Sequence, residues 1–318
     1  MDPASAPLFD DVAGGPPGGA AWWLRASDRV RIRIGCWRPE GAARGTVLLF
    51  PGRTEYVEKY GAAAADLAAR GFATLAVDWR GQGLADRLLD DPRPGYIGHF
   101  PDYQRDVAAV VEAATRLDLP KPLFLLAHSM GGCIGLRALI EGAPVQACAF
   151  TGPMWGIRMP ILLRPAAYGA AYIGPLLGLG GRLMPSTKPD NYVEMQAFDG
   201  NALTTDPGMY AMMQAQLSAH PDLGLGGPSV NWMRASLNEM ADLARRPAPA
   251  LPCVTFLGTC ESIVSAEAIR DRMAGWPGGH LDMVEGARHE VMMEGPEIRA
   301  QVFDRIAALF SQSGGTGS

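Results

Sequence analysis

Short runs of nearly continuous apolar, β-favouring residues constrain this chain more than any other feature. They lie at 46–50 (TVLLF), 72–77 (FATLAV), 123–127 (LFLLA) and 253–257 (CVTFL). A strand with one wet face alternates apolar and polar residues. A strand apolar throughout is covered on both faces, as in a parallel sheet between helix layers. Helical patterns at 55–70, 102–117, 131–140, 266–273 and 296–310 separate these runs, with further short strands at 147–150 and 281–284. Only 29–37 (RVRIRIGCW) alternates like a half-exposed strand. Strand and helix in alternation predict an α/β fold: a mainly parallel sheet with helices on both faces. Residues 154–240 break the rhythm, being rich in Met, Gly, Pro and aromatics without a strand pattern, and predict a helical lid inserted before the last strands. The chain thus divides into a flexible N-terminal segment 1–21 around GGPPGG, a first core part 22–153, the lid 154–240, a second core part 241–311, and a disordered tail 312–318.

Within that frame one turn is chemically loaded. The run 123–127 leads into Ala127-His128-Ser129-Met130-Gly131-Gly132 and then a helix. Strand, tight turn and helix form the setting of a nucleophile elbow, whose central residue is strained and whose neighbours two away must be small. Ala127 and Gly131 are small, and the helix beginning behind Ser129 aims its amides at negative charge formed there. A serine nucleophile needs a base, and the chain has five histidines. His99 lies in a Gly/Pro-rich loop, His128 adjoins the serine and should point away, His220 precedes a proline in the lid, and His280 opens a strand. His289 falls just past the end of the strand at 281–284, where such a sheet presents ligand-facing residues. The acid that orients it should come one unit earlier, which favours Glu261 in the loop after 253–257 over Asp271 in a helix and Asp282 in a strand. Two amides should face the developing oxyanion: that of Met130, directly after the serine, and that of Arg53 in the loop Pro51-Gly52-Arg53. The Arg53 guanidinium could meet an anionic substrate group, though a salt bridge to Glu55 or Glu58 is its plainer use.

Composition removes several other classes. The net charge of −5, with only Lys59, Lys121 and Lys188 as lysines, leaves no basic footprint for nucleic acid and no polybasic patch for anionic lipid. Five singly spaced cysteines suit reduced thiols in the cytoplasm and offer neither a metal site nor a disulfide scaffold; Cys260 reads as a packing residue. The acidic start MDPASAPLFDD is unlike a secretion signal. The uncharged stretch 165–181 holds five glycines and two prolines and makes a poor spanning helix. Any membrane contact is therefore expected to be peripheral, at the inner face. Gly81-Gln82-Gly83 lacks the third glycine of a dinucleotide loop, and His289-Glu290 lacks a second histidine for zinc.

The strings FPGRTEYVEKYG (50–61), VDWRGQG (77–83), LAHSMGG (126–132), TGPMWGIRMP (151–160), GGPSVNWM (226–233) and GARHEVMME (286–294) resemble the α/β-hydrolase superfamily. Within it they are most similar to the bacterial lysophospholipase and monoacylglycerol lipase-like group, with PGR and GGPSVNW on the lysophospholipase side. The resemblance spans about residues 22–311. It implies an α/β-hydrolase fold and ester hydrolysis through an acyl-enzyme on Ser129, with His289 as base and the Arg53 and Met130 amides as oxyanion hole. It implies no metal or organic cofactor, and a lysophospholipid or monoacylglycerol as substrate. Glu261 stands where the group usually has Asp, and Ala85 where it usually has Ser. Apolar lid residues, foremost Met154, Trp155, Ile157 and Met159, and further Ile161, Leu162, Leu163, Leu176, Leu177, Met209, Met212 and Met213, are expected to line an acyl pocket. A small-molecule carboxylesterase, a peptidase-like amidase, or a degenerate binding protein are the alternative readings.

Overall fold

The apolar runs form the middle of a nine-stranded sheet in a computed structural model of the chain, which describes residues 3–314. The strands are β1 (Ala4–Ala6), β2 (Ala20–Arg25), β3 (Arg31–Trp37), β4 (Thr46–Phe50), β5 (Ala73–Asp78), β6 (Leu123–His128), β7 (Cys148–Thr151), β8 (Cys253–Gly258) and β9 (Gly279–Val284). They lie in the order β1-β2-β3-β5-β4-β6-β7-β8-β9. Pairing is antiparallel from β1 through β3 to β5 and parallel from β5 onwards to β9. The described helices are α1 (Asp10–Ala13), α2 (Gly61–Ala69), α3 (Tyr103–Arg116), α4 (Met130–Ile140), α5 (Arg164–Ile173), α6 (Tyr192–Met195), α7 (Pro207–Ala219), α8 (Val230–Ala244), α9 (Ala266–Ala274) and α10 (Pro296–Gly314).

The period of two along each central strand sends side chains into two separate cores. From β4, Leu48 and Phe50 join Leu75, Val77 and Leu125 beneath α3, α4, α8 and α9. Val47 and Leu49 join Ala76, Phe124 and Leu126 beneath α2 and α10. Each fully buried side chain of this size contributes about 1.5–3 kcal/mol of transfer free energy, which is why the central strands carry no polar alternation. Parallel strands all end on one edge, and the loops after β4, β6, β8 and β9 gather there.

Several boundaries differ from expectation. The segment 1–21 is built into the fold from residue 3 onwards. β1 pairs with β2 from Ala4 opposite Trp23, and Pro7 accepts from Arg33, a buried arginine held by Glu58 and Asp78. Its glycines are there for close packing: a Cβ on Gly15 or Gly19 would lie 2.4–2.5 Å from the Trp37 indole nitrogen. The helix expected over 55–70 is a 3₁₀ turn, Val57–Tyr60, followed by α2, with Tyr56 still extended. Between β7 and β8 the described residues hold helices and isolated bridges but no strand. The closing helix α8 runs on past 240 and packs its Leu237, Met240 and Leu243 into the core of β4 and β6. The C-terminal helix extends past 312, anchored by Phe310 stacked on Phe124. The rest of the expected tail, residues 315–318, lies outside the described residues. No described helix is long and apolar enough to cross a membrane.

Candidate active site

Ser129 sits at the junction of β6 and α4 with φ 49° and ψ −116°, a conformation that few L-residues adopt. Its neighbours over-determine that strain. The Ser129 amide donates to the Thr151 carbonyl (3.1 Å), and the Ser129 carbonyl accepts from Met154 (2.8 Å) and Gly132 (2.9 Å). Position 131 admits only glycine, since a Cβ there would lie 2.0 Å from the Phe50 carbonyl oxygen.

The structure brings the three expected side chains into one line. His289 Nε2 lies 2.9 Å from Ser129 Oγ, and His289 Nδ1 lies 2.6 Å from Glu261 Oε2. With Nδ1 facing a carboxylate, the proton belongs on Nδ1 and the Nε2 lone pair faces the serine hydroxyl. Glu261 is fixed by accepting at Oε1 from the amides of Ile263 (2.6 Å) and Val264 (3.1 Å). Burial pushes its carboxyl up, but the hydrogen bond and charge of His289 and those two amides outweigh burial and hold it below the ordinary Glu range. Glycines bring the segments together: a Cβ on Gly258 would strike the Ala287 carbonyl at 2.3 Å, and one on Gly152 would lie 3.1 Å from His289 Nδ1. Asp271 is exposed on α9, and Asp282 pairs with Arg305 at 3.2 Å, so neither reaches the histidine.

The Arg53 and Met130 amides have no protein acceptor among the described residues. The loop carrying Arg53 is braced from behind. Gln82 Nε2 donates to the carbonyls of Gly52 (2.8 Å) and Glu55 (3.0 Å), its Oε1 accepts from Thr54, and the Glu55 carboxylate accepts from the Gly52 amide. Gln82 stood in a failed dinucleotide motif and in the string VDWRGQG, but no local signal reveals its bracing role. Arg53 does not pair with Glu55 or Glu58, which are engaged by Lys59 and Arg33. It donates from Nη1 to the Gly226 carbonyl (2.8 Å) and lies over the Trp232 ring.

Beneath this site lies a buried charge cluster that sequence spacing did not mark. Lys59 Nζ donates to Glu55 Oε1 (2.7 Å) and Glu290 Oε1 (2.6 Å). His128 donates from Nδ1 to the Thr151 carbonyl and presents Nε2 to Glu290 Oε2 at 3.3 Å. Burial pushes the His128 imidazole down, but Glu290 and Glu55 outweigh it and raise its pKa. Burial likewise pushes Glu290 up, yet His128 and Lys59 hold it well below the usual carboxylate range. Glu55, His128 and Glu290 are spaced as a cation site would be, and the Lys59 ammonium, bonded to both carboxylates, supplies the cation. Of the remaining histidines, His220 stacks on Phe9 at 3.6 Å, and His99 and His280 are exposed.

A cavity of about 400 Å³ opens over Ser129 and His289. Met154 and Ile157 line it. Trp155 and Met159 do not: Trp155 packs on Phe150 and Trp276 with its indole N–H on the Gly132 carbonyl, and Met159 packs against the sheet core. Met213 lines the cavity, whereas Met209 and Met212 pack into neighbouring cores. Ile161, Leu162, Leu163, Leu176 and Leu177 face outward, Leu162 with 91% exposure. Their place is taken by Tyr192, Val193, Leu203, Leu217, Trp232, Met233, Ile263 and Val264, gathered from segments far apart in the chain. Cys260 is exposed rather than packed, because the turn after β8 faces outward.

This arrangement has relatives. The family described as Hydrolase_4, serine aminopeptidase S33, matches residues 41–296. The chain belongs to that family. Lysophospholipase L2 of Escherichia coli strain K12 is 32% identical over 90% of this chain and 85% of its own. A monoacylglycerol lipase of Mycolicibacterium smegmatis is 24% identical over 89% and 94%. Among solved structures, a soluble variant of Saccharomyces cerevisiae monoglyceride lipase bound to a substrate analogue superposes with a TM-score of 0.71 at 19% identity, covering 91% of this chain and 94% of that one. The fold is that of the α/β-hydrolases.

Proposed function

We propose that this protein is a serine hydrolase that cleaves carboxylic esters of single-chain lipids, lysophospholipids or monoacylglycerols, through an acyl-enzyme on Ser129. The observation that carries the reading is the Ser129–His289–Glu261 line opening onto a cavity walled mainly by apolar side chains. In the reaction Ser129 Oγ attacks the ester carbonyl while His289 Nε2 takes its proton. The Arg53 and Met130 amides receive the negative charge that develops on the carbonyl oxygen, and Glu261 steadies the imidazolium. His289 then protonates the leaving alcohol, and water, deprotonated by the same imidazole, releases the fatty acid. The E. coli and M. smegmatis relatives are named for such substrates, and the segment 154–240 serves as the lid that walls the cavity.

An aminopeptidase, as the family's description reads, recognises a free α-ammonium and needs an unpaired carboxylate in its pocket. Here Glu55 and Glu290 are both engaged by Lys59, and the one charge left over is that of Arg53. The outward apolar residues at 161–179 suit peripheral contact with a lipid surface by burial rather than by charge. Four buried free cysteines suit a cytoplasmic protein acting at the inner face of the membrane. The test is hydrolysis of chain-matched lysophospholipid, monoacylglycerol, p-nitrophenyl butyrate and an aminoacyl anilide by wild-type and Ser129→Ala protein. Serine-dependent release of fatty acid from the long-chain lipids is expected, with loss of at least about a thousandfold in the variant. Turnover confined to the butyrate or the anilide would overturn the reading.

A further inference from the structure

Buried arginines in this fold come with carboxylates: Arg33 with Glu58 and Asp78, Arg80 with Asp106 and Asp28, Arg137 with Glu239 and Asp242. Half-buried Arg53, like half-buried Arg87 and Arg272, bonds a backbone carbonyl instead. It lines the same cavity as Ser129 and His289, and no carboxylate of the described residues meets it. The nearest acidic residue in sequence, Glu55, is occupied by Lys59, Tyr60 and the Gly52 amide. Among the described residues, Nη1 alone of the guanidinium donors is engaged, on the Gly226 carbonyl; Nε and Nη2 have no acceptor there, and they are not sealed in the interior.

We propose that Arg53 is a specificity-determining residue that grips the phosphodiester of a lysophospholipid and so favours anionic lysolipids over neutral monoacylglycerols, an inference that rests on the ester-hydrolase reading. A half-buried cation with no carboxylate to meet it is costly, and a planar fork with unspent donors matches two phosphate oxygens. Burial pushes the guanidinium down to about 10, so it still carries its charge at neutral pH. The grip is pre-set. Trp232 lies under the guanidinium at 5.4 Å, and Gly226 holds Nη1. Gly95 leaves room beside it, since a Cβ there would approach Nη1 to 3.1 Å. Two strings far apart in the chain, PGR at 51–53 and GGPSVNW at 226–232, thus meet in one device. Position also fits. Arg53 and Ser129 line one cavity, so a lipid whose ester carbonyl meets Ser129 can bring its headgroup to the guanidinium.

The experiment compares kcat/KM for 1-palmitoyl-lysophosphatidylglycerol and 1-palmitoylglycerol in the same mixed micelles, in wild type, Arg53→Met and Arg53→Lys. The quantity read is the ratio of the two constants, whatever their absolute level. Loss of a charged hydrogen-bonding partner should lower that ratio by about tenfold to a hundredfold in Arg53→Met, mainly through KM. Arg53→Lys, which keeps charge but not the fork, should fall between. A ratio that stays within twofold while both rates drop together would make Arg53 a clamp on the cavity wall and overturn the proposal. A second readout needs no turnover: binding of the non-hydrolysable ether 1-O-hexadecyl-lysophosphatidylglycerol and of 1-O-hexadecylglycerol, by calorimetry. Preference for the phospholipid ether that Arg53→Met abolishes supports the grip even if neither ester is hydrolysed, an outcome that would sink only the ester-hydrolase reading. Equal binding of both ethers to wild type would sink the grip.

Discussion

Replacing Lys59 by Met tests the buried cluster beneath the active site. The ammonium, 5% exposed, lies 2.7 Å from Glu55 and 2.6 Å from Glu290. Methionine nearly matches its volume but leaves two buried carboxylates with His128 as their one remaining cation. Removing one partner of a buried pair costs about 3–5 kcal/mol, because the charge left behind has lost its water as well as its partner. At roughly 2–4 °C per kcal/mol for chains approaching this length, the melting temperature should fall by about 6 °C or more near pH 7.5. The pH dependence gives a second, signed check. Glu290 is held well below the ordinary carboxylate range. A group with a depressed folded pKa adds stability above its unfolded pKa, about 4.3 for Glu, and loses it as pH falls through the folded value. Without the ammonium Glu290 loses one of the two cations that hold it down, and a proton taken up there in acid relieves the variant. The gap in melting temperature between wild type and Lys59→Met should therefore be widest near neutrality and narrow as pH falls below about 5. Thermal unfolding followed by circular dichroism across that range reads both. A shift under 2 °C at neutral pH, or a gap that widens in acid, would refute the reasoning.

Four further outcomes follow from the geometry. Glu261→Gln keeps length and packing but offers His289 Nδ1 no fixed charge, so kcat should fall by about a thousandfold or more, while Asp271→Asn and Asp282→Asn stay near wild type in the same assay. The opposite ranking would move the acid elsewhere. Gly131→Ala forces a Cβ onto the Phe50 carbonyl at 2.0 Å and should abolish soluble folded protein. Gly169→Ala, in open space within α5, should leave the melting temperature equal or higher, since alanine is favoured in a helix by about 0.5–1 kcal/mol. Leu162→Glu combined with Leu176→Glu should reduce co-sedimentation with neutral phosphatidylcholine vesicles severalfold. Equal sedimentation of the variant would remove these residues from any lipid contact.

The sheet and the elbow were readable because their causes are local. A strand covered on both faces is apolar at nearly every position, and a strained turn between strand and helix tolerates only small residues two positions away. Both rules act within a few residues, so TVLLF, LFLLA and AHSMG announce themselves. Local composition misled where packing decides. GGPPGG reads as a loop whether its glycines are free or, as here, pressed against Trp37. Trp155 and Met159 looked like pocket wall because the segment is apolar, yet an apolar side chain serves a core and a cavity equally well, and only the fold assigns it.

What the sequence by itself determined is the order of elements and the residues at strand ends: Ser129, Glu261 and His289 each follow a strand of one parallel sheet, and parallel strands end on one edge. What only the tertiary structure decided is which charges meet. Lys59 and Glu290 are 231 residues apart and touch, whereas Arg53 stands two residues from Glu55 and does not pair with it. Backbone periodicity is set by neighbours in the chain. The pairing of buried charge is set by which groups share a site closed to water, and that site exists only once distant segments have packed.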